Sequence, residues 1–406
     1  GFLARQQLRY RGEWMWLPVC GCGCSNSDLV AGFVSVKNDL SHSGEPAVNL
    51  PVPDLEVIVC PLCGCTDSST VLTTTEDYFG GVPGTYSASR CHTCRHLFMN
   101  PRPTAATLHL CYPATYAPHQ TAPPAHPEEQ MTRPAETPWY LKYLPLRYVP
   151  GLRTFYYWIT NDLGQPLPCV PMGGEEGVRP KALELGCAAG RYLSRLAAAG
   201  WDPLGVEPSE PASATARECG FDVRTGVLRD ISLPAQCFDS AAAWMVIEHV
   251  IDPVSDLKQL HYLLKPGGQL LISIPNAGCW EPVVFRSAWF LWDLPRHLHH
   301  FTPSKIRKTL ETAGFTKIEI VHQKNVLNLI GSFGIVFSRL FPSWDLGRRL
   351  VRYTDDPQMW VQLALSPLAH LLAICRQGGR LTVYAERPKT AASDVRASAD
   401  TVKGQS

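Results

Sequence analysis

The chain has 406 residues, enough for two or three domains, and its 45% hydrophobic and 18% charged composition suits a globular protein with a sizeable core. Lys and Arg number 37 against 36 Asp and Glu, so no global field favours nucleic acid or an anionic membrane. Fifteen cysteines are an enrichment without being a disulfide scaffold. They read as a reducing compartment such as the cytoplasm, with one metal site. No signal peptide is evident, and the opening Gly1-Phe2-Leu3-Ala4-Arg5 lacks an initiating Met, a reading in which the true N-terminus is cut or missing.

Residues 1–54 form a weakly patterned leader. Its Cys20-Gly21-Cys22-Gly23-Cys24 run would crowd tetrahedral ligands and is not expected to hold metal. Residues 55–103 form a cysteine module, with Cys60-x2-Cys63 and Cys91-x2-Cys94 separated by 27 residues. Two such knuckles supply four thiolates to a tetrahedral zinc ion, and the closed shell makes its role structural. Residues 104–138 have the Pro, Ala and Thr composition of a linker. The aromatic stretch 139–162 reads as one or two helices, which open a catalytic domain spanning 139–325.

From residue 181 strands and helices alternate. Strands are predicted at 181–185, 203–207, 221–225, 239–245, 269–274, 316–322 and 380–386, with helices at 190–199, 210–219, 254–264 and 303–313. That alternation predicts an α/β fold with a parallel-type sheet covered on both faces. Asp252-Pro253 suits a helix start, and Pro266-Gly267-Gly268 a stop. Residues 326–378 interrupt the pattern with two apolar stretches, Val326–Phe341 and Met359–Cys375. Each is at or below the length that spans a bilayer, and Pro367 breaks the second. A helical cap or a membrane-interfacial hairpin is expected, with Arg339, Arg348, Arg349 and Arg352 between the stretches. The last strand is placed within 379–388, and 389–406 reads as a disordered tail.

The most informative stretch is Glu184-Leu185-Gly186-Cys187-Ala188-Ala189-Gly190, a strand end and glycine turn before the helix-like Arg191–Leu196. Such a turn lets backbone approach a nucleotide-type cofactor. The next strand-end acid is Glu207, 23 residues beyond Glu184, at the spacing of an acid that accepts hydrogen bonds from ribose hydroxyls. The dinucleotide pattern G-x-G-x-x-G fails, because Ala188 and Arg191 stand at its second and third glycines.

With Phe238-Asp239, Val246-Ile247-Glu248-His249-Val250-Ile251-Asp252-Pro253 and Leu264-Lys265-Pro266-Gly267-Gly268, these residues resemble a class I S-adenosylmethionine-dependent methyltransferase. The resemblance implies a Rossmann-like seven-stranded sheet with helices on both faces. It implies that Glu184, Gly186, Cys187, Ala188 and Gly190 cradle the methionine part of S-adenosylmethionine, that Glu207 holds the ribose diol, that Val227 and Leu228 flank adenine, and that Met245 and Val246 lie along the sulfonium edge. Ala188 departs from the common middle glycine. Leu228 stands where an acid is frequent, so an adenine contact there would come from backbone.

Glu248-His249 resembles the metal-binding pair of ubiquinone-pathway O-methyltransferases. The partner acid three residues earlier is here Met245, so no catalytic metal is expected. The stretch Trp292-Asp293-Leu294-Pro295-Arg296-His297-Leu298-His299-His300-Phe301 reads as a substrate-pocket loop at the carboxyl end of the fifth strand, and resembles a stretch common in bacterial methyltransferases. His297 is the first candidate for a general base and His249 the second, ahead of His299 and His300; imidazole has a suitable pKa. The order Cys60-Pro61-Leu62-Cys63-Gly64, Cys91-His92-Thr93-Cys94, Asn100-Pro101-Arg102-Pro103 resembles the N-terminal zinc-ribbon of many bacterial methyltransferases. The expected reaction is O- or C-methylation of a small molecule or a glycan or lipid precursor. One alternative is an RNA base methyltransferase, against which the near-zero net charge argues. The other is a non-catalytic lipid- or partner-binding relic, against which Gly186, Gly190 and Glu207 argue. Oligomeric state is not legible, and peripheral membrane contact through 326–376 stays open.

Overall fold

The computed structural model describes residues 5–10, 13–18, 51–78, 81–112, 165–169, 171, 177–355 and 357–389. The Cys20–Cys24 run, the aromatic stretch 139–162, most of the expected linker and the expected tail beyond residue 389 lie outside these residues. Within the expected leader, β1 (Arg5–Tyr10) and β2 (Glu13–Pro18) pair as an antiparallel hairpin.

The cysteine module holds β3 (Leu55–Glu56), β4 (Ser68–Thr74), β5 (Tyr86–Cys91), β6 (Leu97–Met99) and β7 (Arg102–Pro103). The catalytic part then runs β8 (Lys181–Leu185), α1 (Arg191–Ala198), β9 (Asp202–Glu207), α2 (Glu210–Glu218), β10 (Asp222–Thr225), β11 (Phe238–Trp244), α3 (Pro253–Leu263) and β12 (Leu264–Pro275). It continues with α4 (Glu281–Phe285), β13 (His299–His300), α5 (Pro303–Thr312), β14 (Thr316–His322), α6 (Leu327–Leu340), α7 (Leu346–Tyr353), α8 (Met359–Ile374) and β15 (Arg380–Glu386).

Seven strands form one sheet in the order β10-β9-β8-β11-β12-β15-β14. The inner strands are mostly apolar along their buried lengths, as a sheet covered on both faces requires. Along β11, Ala241 and Ala243 face the core built with Leu257, Leu260, Ile306 and Leu310 of α3 and α5. Ala242 and Trp244 face the opposite core with Tyr192 and Leu196 of α1. The sheet departs from the parallel expectation at one place. β15 runs antiparallel between β12 and β14, which its hairpin-like return from the inserted helices permits.

Local signals set the helix starts. Asp252 accepts a hydrogen bond from Ser255 N at 3.0 Å, with Pro253 in the first turn of α3. Thr302 caps α5 in the same way, accepting from Lys305 N at 3.3 Å. Pro266-Gly267-Gly268 lies inside β12 rather than before it. Phe238 pairs with Leu264 and Ser240 with Gln269, so these residues bulge out of the ladder, and Gly267 takes a φ of +81° there.

The cysteine module is not a separate appendage. β13, in the loop after β12, pairs with β6 and completes a four-stranded sheet β13-β6-β5-β4. A shared apolar core holds Tyr86 and Met99 of the module, Trp289 and Leu294 of the loop, and Leu329 and Ile335 of α6. Residues 104–112 were expected to begin a linker but are folded against this loop. Cys111 is buried, and its carbonyl accepts from Arg296 Nη1 at 3.2 Å. The expected insertion is helical: α6, α7 and α8 follow one another along the chain between β14 and β15, with α6 against α7 so closely that a Cβ on Gly334 would lie 2.9 Å from the carbonyl oxygen of Gly347.

Candidate active site

At the end of β8 the chain turns through Gly186 at φ +68°, and a Cβ there would overlap Val246. Gly190 at φ +88° starts α1, where a Cβ would come within 3.1 Å of Ala216 and Phe221. Both positions therefore demand glycine. Ala188 holds a left-handed φ of +46° and keeps its N–H free to turn inward. That N–H donates to Glu207 Oε2 at 2.9 Å, and Ser209 N–H donates to Oε1 at 2.8 Å. Burial raises the Glu207 pKa, and these two backbone donors counter it.

Glu184 is buried beneath the turn, and its Oε2 has no hydrogen-bond partner among the described residues. Burial, with the Glu207 charge nearby, raises its pKa well above the usual carboxylate range. A buried carboxylate oxygen without a donor, beside a turn too tight for side chains, fits a ligand that brings its own cationic donor. The ammonium of S-adenosylmethionine meets that description.

The other expected cofactor contacts divide. Met245, at φ +55°, and Val246 are half-buried just past the end of β11, on the glycine-turn side of the sheet. Cys187 is buried with Leu193, Ala197 and Phe221, so only its backbone is available; burial pushes its thiol pKa up. The Leu228 side chain is in the core, its carbonyl accepts from Gln259 Nε2 at 2.8 Å, and the neighbouring Val227 is exposed.

The two base candidates sit side by side, their rings 4.6 Å apart edge to face. His297 is 4% exposed, and its Nδ1–H donates to the Leu291 carbonyl at 2.9 Å. His249 is half-buried, with Nδ1 3.1 Å from the Arg296 carbonyl and 3.0 Å from the Tyr112 hydroxyl. Nδ1–H donates to the carbonyl, which leaves Nε2 as the acceptor. Burial, with other cations or imidazoles nearby, pushes both imidazoles down to about 3, so both are neutral near pH 7. His299 donates from Nε2 to the Val250 carbonyl at 2.9 Å, and His300 is wholly buried beside Trp292. Neither is placed to meet a substrate.

Ligand atoms of Glu248, His249 and His297 all lie within 4.8 Å of one another. The expectation of no catalytic metal rested on Met245, and spacing along the chain could not show that His297 joins the pair from a distant loop. Glu248 is fully buried with neither oxygen hydrogen-bonded among the described residues, and burial raises its pKa to about 8.

Sequence reasoning missed what holds this cluster. Arg296, wholly buried, donates to Asp77 Oδ2 of the cysteine module at 2.9 Å through Nη1 and to Asp77 Oδ1 through Nη2. It donates to Asp293 Oδ1 at 2.9 Å through Nε and 2.6 Å through Nη2. The partner Asp77 is 219 residues away, and only the acid in Glu76-Asp77-Tyr78 hinted at it. In the module itself, Cys60 Sγ lies 3.5 Å from Cys94 Sγ and Cys63 Sγ 3.6 Å from Cys91 Sγ. Tetrahedral zinc with bonds of about 2.3 Å sets ligand sulfurs roughly 3.8 Å apart, so the predicted four converge at metal-ligand distance. Cys65 stands outside the four, accepting from Thr93 Oγ1 at 3.1 Å.

A family described as a methyltransferase domain matches residues 169–320. The chain is 27% identical over 201 residues to a ubiquinone biosynthesis O-methyltransferase of Cereibacter sphaeroides, covering 47% of this chain and 73% of that one. It is 28% identical over 179 residues to the Bradyrhizobium diazoefficiens protein of the same name, covering 41% and 65%. It is 31% identical over 147 residues to that of Methylococcus capsulatus, covering 33% and 62%.

The buried acid generates a prediction about stability. The Glu248 carboxyl has a folded pKa of about 8, above its unfolded value near 4.3. Its contribution is fully present below the unfolded value and lost as pH rises through the folded one. In chelated protein, Glu248→Gln should therefore gain stability relative to the wild type progressively between about pH 4.3 and pH 8. Urea denaturation at several pH values checks this; a constant difference across the range would contradict the assignment.

Proposed function

We propose that this chain, a class I S-adenosylmethionine-dependent methyltransferase, methylates an oxygen of a small molecule, with His249 as the group that receives the acceptor's proton. The observation that carries the reading is the His249 geometry. Its Nδ1 is fixed by the Arg296 carbonyl at 3.1 Å, and the half-buried residue lies in the turn after Met245-Val246, its N–H donating to the Val246 carbonyl at 2.9 Å. The ubiquinone biosynthesis O-methyltransferases among the relatives favour oxygen over carbon as the acceptor atom. A glycan or lipid precursor remains within the same class of acceptor.

When bound, S-adenosylmethionine supplies a methyl group already activated on sulfonium. The chain's residues do the rest. Glu184 receives the amino-acid end, Glu207 the ribose diol, and the backbone of 186–190 lies close along the tail. Met245 and Val246 line the sulfonium edge and Val227 flanks adenine. With an acceptor hydroxyl placed at the cofactor edge, His249 Nε2 would take its proton as the oxygen accepts the methyl group. His297 takes a positioning role: its Nδ1–H is committed to Leu291, and its ring abuts His249.

A second, metal-assisted reading, in which His249 Nε2 would be a ligand instead of the proton acceptor, is supported by the convergence of Glu248, His249 and His297. A divalent ion held by those three would lower the acceptor's pKa and orient its oxygen. In the cysteine module, Cys60, Cys63, Cys91 and Cys94 hold structural zinc.

The test is methyl-labelled S-adenosylmethionine incubated with the full chain and a metabolite extract, followed by mass spectrometry of labelled products. Glu207→Ala should weaken cofactor binding by about 1–3 kcal/mol in calorimetry. His249→Ala should keep cofactor affinity and lose roughly 10²–10⁴-fold in turnover. Full turnover in the His249 variant would remove it from the chemistry. For the module, Cys60→Ser should lose zinc and unfold β4–β6, read by metal analysis and proteolysis. One zinc per chain persisting in that variant would contradict the ligand set.

A further inference from the structure

Beside the glycine turn lie two opposite charges that do not meet each other. Glu184 stands two residues after Ala182 on β8 and level with Ala242 of β11, and both alanines pack against Tyr192 and Leu196 of α1. Residues two apart on a strand share a face, so the Glu184 carboxylate enters the layer between the sheet and α1. There the Leu193 N–H donates to it, while Oε2 keeps no partner among the described residues.

Arg195 reaches the same layer from the second turn of α1. Helix side chains lean towards the N-terminus, here the end that carries the glycine turn. Arg195 does so: its guanidinium lies over the ring of Tyr192, three residues earlier, 5.6 Å from the ring centre. That ring is a fixed platform. Its hydroxyl donates to the Pro166 carbonyl at 2.7 Å, and Trp244 meets it edge to face with ring centres 5.1 Å apart. Arg195 Nη1 is shut off from solvent and has no hydrogen-bond partner among the described residues. Glu184 and Arg195 each bear on the other's charge, yet among the described residues no ion pair joins them. Burial raises the pKa of the acid and lowers that of the arginine, so each charge is disfavoured where it stands.

The charges around this point balance. The acids are Glu184 and Glu207, the second already held by two backbone N–H groups, and the cations are Arg191 and Arg195. A neutral site with one unpartnered anionic acceptor and one unpartnered cationic donor suits a ligand end that is itself a zwitterion. We infer that Arg195 binds the carboxylate of the cofactor's amino-acid tail while Glu184 takes its ammonium, so that the site distinguishes an amino acid from a simple amine. The inference rests on S-adenosylmethionine being the ligand of the glycine turn, and it assigns the residue that recognises the far end of that ligand. One carbon separates the two charged groups of such a tail, so they arrive together and neither protein charge stays buried alone.

The experiment is titration calorimetry of the full chain with S-adenosylmethionine and with its decarboxylated form, which keeps the ammonium, the sulfonium and the adenosine. The wild type should bind the complete cofactor roughly 10- to 100-fold more tightly, the range for a hydrogen bond to a charged group. Arg195→Leu should lose most of that preference by weakening the complete cofactor alone, and Arg195→Lys should keep part of it. Glu184→Gln should weaken both ligands alike. A purely structural Arg195 would move both affinities together, so the ratio of the two is the readout, and urea denaturation of each variant reports on folding. Equal affinity of the wild type for the two ligands, or equal losses in a folded Arg195→Leu, overturns the inference. A wild type that binds neither ligand would instead remove S-adenosylmethionine from the glycine turn, and the inference with it.

Discussion

The catalytic loop depends on one guanidinium. Arg296 is wholly buried and held between Asp77 of the cysteine module and Asp293 of its own loop. Burial disfavours its charge and the two acids restore it, so its pKa stays above the usual range for arginine. A buried charge of this kind is stable only while all partners are present; removing one leaves the others unpaired in a low-dielectric interior. The consequence is positional. The Arg296 carbonyl fixes His249, the adjacent His297 is fixed by Leu291, and β13 then enters the sheet of the cysteine module. The cysteine module thereby forms an outer wall of the candidate site.

Around this anchor the chain tolerates conformations and burials that packing alone would reject. Ala188, Met245, Arg286 and Asp293 all have positive φ, and all lie in the glycine turn, the sheet edge or the loop of the site. Such strain collects where the surroundings over-determine the backbone, commonly at functional sites. Glu184 and Glu248 are buried with unpartnered oxygens, and Arg380 is the cation whose charge bears on Glu248 and Glu281. The region is organised to receive groups from outside rather than to satisfy itself.

Much of the sheet was legible in the residues because its signals are local. β8, β14 and β15 begin and end where alternation and turn residues place them, and Asp252-Pro253 starts α3 as capping chemistry requires. The glycine turn and Glu207 were legible because only one residue type fits a left-handed turn under Val246. What escaped is non-local. Two histidines carry no strand propensity, yet His299 and His300 form β13 because β6 offers a free edge. Asp77 could not be matched to Arg296 across 219 residues. The burial of His297 was not legible, since a loop's sequence says nothing about which imidazole the fold encloses. The antiparallel β15 was hidden for a related reason: strand direction is set by where the inserted helices return the chain, not by its own alternation.

The central claim is that the cysteine module completes the acceptor side of the site through Asp77 while the glycine turn binds cofactor on its own. The most direct test is labelled methyl incorporation by Asp77→Asn at saturating S-adenosylmethionine, with cofactor affinity measured on the same sample. The account predicts unchanged affinity and a turnover lower by about 100-fold or more, the scale of a misplaced catalytic group. Turnover equal to the wild type would contradict it.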